Sequence, residues 1–97
     1  FFMLYSNKLL FMNINELIKI VKNKLEAKII IQDLKIEDKS FLHKNHKGNQ
    51  EGMFHLKLII KSEELKKLNK IESTKKIYNI LDHELKEHIH SIQILLS

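Results

Sequence analysis

The stretch Phe54-His55-Leu56-Lys57-Leu58-Ile59-Ile60 decides how this chain folds. Its apolar residues alternate well enough with His55 and Lys57 to predict a strand. Toward the C-terminus, Ser62 caps a short helical turn through Glu63, Glu64, Leu65 and Leu68. A longer helix is predicted from Ser73 to Lys86, with Ile77, Ile80, Leu81 and Leu85 on one stripe, and a last strand from Ile89 to Leu96. Toward the N-terminus, the β-branched run from Lys28 to Ile36 predicts another strand. Before it, Asn13 and Glu16 form a capping-box-like start, with Met12 and Leu17 placed as a hydrophobic staple. Ile14, Leu17, Ile18, Val21 and Leu25 then repeat at helical spacing, which predicts a first helix over residues 14–26.

The order is helix, strand, strand, short helix, long helix, strand, an α+β chain. A short antiparallel pair followed by a helical crossover into a parallel third strand gives a mixed three-stranded sheet with helices packed on one face. Residues 12–97 make one domain, and 97 residues bury too little surface to enclose a large active site. The apolar stretch from Phe1 to Phe11 is set apart as an N-terminal extension. It is shorter than the roughly 20 residues that span a bilayer, so no membrane partner is expected. It reads as the remnant of an organelle leader, as a disordered end or as an added strand, which leaves a cytoplasmic or mitochondrial location open.

Composition narrows the chemistry. With no cysteine there is no disulfide, no thiolate nucleophile and no cysteine-only metal site. Any metal must be held by histidine or carboxylate, or by ligands that a partner brings. The net charge of +5 rests on 17 basic residues, all lysine. Lysine attracts polyanions but lacks the planar fork that reads guanine, so salt-sensitive contact with nucleic acid fits better than sequence reading. No phosphate-binding glycine loop or dinucleotide motif is present, which argues against a nucleotide enzyme. Glu37, Asp38 and Asp33 cluster near a strand end, where carboxylates are usually solvated turn residues.

Three histidines stand out. His43 and His46 lie in the segment Glu37 to Gly52, which holds both glycines of the chain and is longer than ordinary hairpin loops. His90 sits at the start of the last strand, where a loop could bring a second imidazole onto the same ion. His55 should face away from Leu56 and act as a structural or supporting donor. His83 and His88 read as solvated positions at a helix end. A hydrolytic zinc site from His43, His46 and His90 is disfavoured, since the helical His-Glu-x-x-His arrangement is missing.

Three segments, in order, resemble the BolA family. They are Asp38-Lys-Ser40-Phe-Leu-His43-Lys-Asn-His46-Lys-Gly48, then Gly52 through His55 to Ser62, then Ile77-Tyr78 through Leu85 to Ile89-His90-Ser91-Ile92. The resemblance covers nearly everything after Met12. It implies a KH-like fold and a non-enzymatic role in iron–sulfur cluster assembly, transfer or iron sensing. It further implies pairing with a monothiol glutaredoxin and a shared [2Fe-2S] cluster, with thiolates from the partner and glutathione. The chain alone would be a monomer without cofactor. The ligands implied are His90 and His43, with His46 as the alternative in the loop.

The chain departs from the family where relatives carry Arg-His before the long helix, since Thr74-Lys75-Lys76 stands there. A second reading is a nucleic-acid-binding regulator of the same family, using Lys66, Lys67, Lys70, Lys75 and Lys76 around a turn. That turn, Lys67 to Glu72, lacks the glycines with which KH domains approach a nucleic-acid backbone.

Overall fold

The computed structural model describes residues 12–40 and 53–97. The elements run α1 (Ile14–Lys28), β1 (Asp33–Asp38), β2 (Phe54–Lys61), α2 (Glu63–Lys66), α3 (Lys70–Ile80), α4 (Asp82–Glu87) and β3 (Ile89–Leu96). The sheet order is β1-β2-β3, with β1 antiparallel and β3 parallel to β2. The mixed sheet expected from the sequence is therefore present, and the element order is compatible with a KH-like arrangement.

The alternation in β2 explains the layers. Leu56, Leu58 and Ile60 are buried, and they meet Leu17, Val21 and Leu25 of α1, Leu65 of α2, Ile77 of α3 and Leu81 in one core. The register places Leu34 and Ile36 of β1 and Ile92, Ile94 and Leu96 of β3 in the same rows as Leu56, Leu58 and Ile60. The opposite face carries Lys35, Lys57, Lys61, Gln93 and Leu95 and bears none of this core.

Several boundaries differ from expectation. The run Ile29-Ile30-Ile31 is not strand. α1 continues to Lys28, and Ile29 closes it by donating its N–H to the Leu25 carbonyl while its side chain enters the core. The Ile30 N–H then donates to Glu64 Oε1 at 3.0 Å, and its carbonyl accepts from Ser62 Oγ at 2.7 Å. With its polar groups taken by side chains around α2, this segment cannot join β2, and pairing begins only where Gln32 N–H meets the Lys61 carbonyl. The long helix over Ser73 to Lys86 is in fact two, α3 and α4, broken at Leu81 (φ −99°, ψ 19°). Asn79 and Asp82, both weak formers of helix interiors, flank the break. α3 also begins earlier than Ser73, because Asn69 and Glu72 complete a reciprocal capping box there.

Ser62 is the hinge pin of the α2 end. It is 1% exposed, and its hydroxyl both donates to Ile30 and accepts from the Leu65 N–H. Ser62→Ala removes both bonds and leaves the buried Leu65 N–H at the helix start without its cap, so a loss of about 1 kcal/mol is expected in urea unfolding. Glu64, beside it, has its carboxyl held below the ordinary value of 4.5 by the Lys76 ammonium, at 2.6 Å, and by the Ile30 N–H. A lowered folded pKa means stability that is present above about pH 4.5 and fades as pH falls through the folded value. Stability–pH curves of wild type and Glu64→Gln should therefore differ in slope below that point and run parallel above it.

Candidate functional site

The site grows from an irregularity in the β2–β3 ladder. Phe54 pairs with Ile89, but the next residue, His55, pairs with Ser91, so His90 is an extra residue on β3. Such a bulge breaks the alternation of the strand and re-aims a side chain. His90 is exposed, and its ring centroid lies 5.0 Å from that of His55, with the planes tilted by 37°. His55 is 5% exposed, and its Nδ1 lies 2.7 Å from the Ser91 hydroxyl. A buried, hydrogen-bonded imidazole thus backs a solvent-facing one.

The long loop is tied to the same spot. The Lys39 N–H donates to the His55 carbonyl at 2.7 Å, and the His55 N–H donates to Ser40 Oγ at 3.1 Å. At the other end, Phe54 N–H donates to the His88 carbonyl. The segment bearing His43 and His46 therefore leaves and rejoins the sheet beside His90, although His43 and His46 themselves lie outside the described residues. Lys39, His55, Lys57, Ser91 and Gln93 border a pocket of about 370 Å³ on the open face of the sheet. Glu37 tempers the cationic rim, with Lys35 at 3.1 Å and Lys39 at 3.3 Å, and these two ammonium groups lower its carboxyl pKa.

Among the described residues no group of three His, Cys, Asp or Glu is placed to hold a metal ion. Any metal at His90 needs further donors from the loop or from another molecule.

His83 is exposed, but His88 is only 6% exposed, which corrects its reading as a solvated position. It ends α4 with its N–H on the Glu84 carbonyl, and its ring meets that of His83 edge-on at 6.1 Å. The cause is positional. Ile77, Leu81, Glu84 and His88 fall at steps of four, three and four, so the apolar stripe carries on into two polar residues. Glu84, which the sequence reading passed over, is likewise buried at 3% exposure, with Oε2 held by Lys24 at 2.7 Å.

The lysines of the alternative reading gather around the α2–α3 turn. Lys66, Lys67, Lys70 and Lys75 are exposed, while Lys76 is held by Glu64. Asn69 and Glu72 use their side chains to cap α3 and leave no glycine-like opening in the turn.

Comparisons with known proteins bear on this arrangement. Residues 25–97 match the model of the family described as BolA-like protein. A Haemophilus influenzae protein named DNA-binding transcriptional regulator BolA is 30% identical over 78 residues, covering 80% of this chain and 73% of that protein. Among solved structures, the BolA domain of SufE1 from Arabidopsis thaliana is similar with a TM-score of 0.67 and 28% identity, over 79% of this chain and 85% of that one. BolA1 from the same plant shares the fold with a TM-score of 0.66 and 24% identity, over 78% and 83%.

Proposed function

The chain belongs to the BolA-like family, and on that premise we propose that it is a non-enzymatic adaptor that pairs with a monothiol glutaredoxin and offers His90 to a [2Fe-2S] cluster shared with that partner and glutathione. The observation that carries this reading is the exposed His90 ring, re-aimed by the bulge and backed by buried His55. The donor set fits a shared group. Among the described residues one imidazole faces outward here, and the sequence has no cysteine, so sulfur ligands have to come from the companion. His43, or His46 in its place, is the loop donor in this reading, and the tethering of the loop at Ser40 and Phe54 keeps its attachment points near His90. His55 and Ser91 orient and do not ligate. Exchange of one thiolate for imidazole makes such a cluster less negative and raises its potential, which suits transfer or sensing.

The test is anaerobic reconstitution of the chain with a monothiol glutaredoxin, glutathione, iron and sulfide. The visible spectrum should differ from that of the glutaredoxin alone, and His90→Ala should erase the difference. A spectrum indifferent to the presence of the chain would defeat the reading.

A second reading, a nucleic-acid-binding regulator, draws on the name of the Haemophilus relative and on the exposed Lys66, Lys67, Lys70 and Lys75, with Lys76 beside them. It requires affinity that falls steeply with salt and that drops when these lysines are neutralised, with no response to His90→Ala.

A further inference from the structure

The face of the sheet that bears none of the core has a pattern of its own. Across the three strands Glu37, Lys57 and Gln93 stand in one row. His55 and Ser91 stand in the next, closed on the β1 side by Lys39, whose N–H donates to the His55 carbonyl. Both oxygens of Glu37 are taken, Oε2 by Lys35 and Oε1 by Lys39. Lys57, directly beside Glu37 on the central strand, is half-buried and has no carboxylate partner among the described residues. Lys39, Lys57, Ser91 and Gln93 are the polar walls of the pocket of about 370 Å³, and His55, against which the His90 ring rests, bounds it on the side of the bulge.

A half-buried ammonium without a counter-ion attracts an anion, and an amide and a hydroxyl beside it can bond the same oxygens. Charge selects among anions. Two lysines line the pocket and one carboxylate, Glu37, stands behind them, so a single positive charge is left, which balances a carboxylate and not a phosphate dianion. Length selects further. Rows two residues apart lie about 7 Å from one another along a strand, and an extended dipeptide reaches about as far. A molecule whose terminal carboxylate meets Lys57 and Gln93 therefore carries its preceding residue back to the row of His55 and Ser91, beside His90.

We infer that this pocket seats the C-terminal carboxylate of a small thiol peptide, with the cysteinyl residue before it turned toward His90. Its identification as glutathione, in which cysteine directly precedes a terminal glycine, rests on the adaptor reading above. The chain, which has no cysteine, would then hold one sulfur donor in place through Lys57 and Gln93 without leaving that task wholly to the glutaredoxin.

The test titrates the full chain, without iron or glutaredoxin, with S-methylglutathione and follows amide resonances by NMR. Those of Lys57, Ser91 and Gln93 should shift. Affinity should fall about fivefold or more when the terminal carboxylate is made a carboxamide, and by a similar factor in Lys57→Met, with a smaller fall in Gln93→Ala. N-acetyl-S-methylcysteinylglycine, which lacks the γ-glutamyl residue, should bind about as well as the whole peptide. The inference is overturned if the carboxamide binds as tightly as the acid, if the shifts fall away from the pocket, or if inorganic phosphate at equal concentration displaces the peptide. Reconstitution with glutaredoxin separates this inference from the adaptor reading. Lys57→Met should keep the band positions of the chain-dependent spectrum and need at least threefold more glutathione to reach half of it. A normal spectrum with an unchanged glutathione requirement in that variant defeats the inference alone. A wild-type mixture without any chain-dependent spectrum defeats the adaptor reading, and the peptide titration then decides the pocket by itself.

Discussion

Lys24→Ala is expected to lower the unfolding free energy by about 2–3 kcal/mol, a large effect for a residue whose side chain is 41% exposed. The reason lies in its partner. Glu84 is 4% exposed at the side chain, its Oε2 is held by Lys24 at 2.7 Å, and its Oε1 is buried without a hydrogen-bond partner among the described residues. Removal of the ammonium leaves a carboxylate in a poorly solvated place, where the cost of desolvation is no longer offset. Partial exposure of Lys24 keeps the figure at or below the low end of the range for buried pairs, since water can reach the vacated space. Lys24→Met combined with Glu84→Leu should return stability to within about 1 kcal/mol of wild type, because two apolar groups of similar size owe nothing to solvation. Urea unfolding of the single and double variants decides the matter. A Lys24→Ala protein within about 0.5 kcal/mol of wild type would show that the pair behaves as an ordinary surface contact.

Much of this pairing was latent in the spacing of residues. Lys24 lies beside the stripe of Leu17, Val21 and Leu25 on α1, and Glu84 lies within the stripe that Ile77 and Leu81 begin, so a cation flanking one stripe meets a carboxylate set into the other. Alternation in β2, the capping residues Asn13 and Ser62, and the bounds of β3 could all be read directly, because each depends on neighbours in sequence. The fate of Ile29-Ile30-Ile31 could not. Three β-branched residues favour a strand locally, and only the distant side chains of Ser62 and Glu64 capture their backbone instead. His90 could be picked out from the family resemblance, but its exposure depends on a bulge that no local pattern announces, and the stacking on His55 depends on the register of two strands far apart in the chain. The burial of His88, by contrast, follows from local spacing, since the residue continues the stripe of Ile77, Leu81 and Glu84 past the end of the helix.

The His55 and His90 pair offers the sharpest separation of folding from function. His90→Ala removes a solvent-facing ring, so stability should change by no more than about 0.5 kcal/mol, yet the spectral contribution of the chain in the reconstituted glutaredoxin mixture should vanish. His55→Ala should do nearly the reverse. It empties a buried position and strips the Ser91 hydroxyl of its partner, at a cost of about 2 kcal/mol, while the imidazole at position 90 remains available. Without the ring that backs it, His90 samples more orientations, and affinity for the shared group should fall by about tenfold or more with the band positions largely kept. Ser91→Ala isolates the orienting bond and should give a milder form of the His55→Ala behaviour, with little loss of stability. These outcomes distinguish a ligand from its support. A folded His55→Ala protein that lacks the spectrum altogether would make His55 the ligand, and a His90→Ala protein that retains it would remove the adaptor reading.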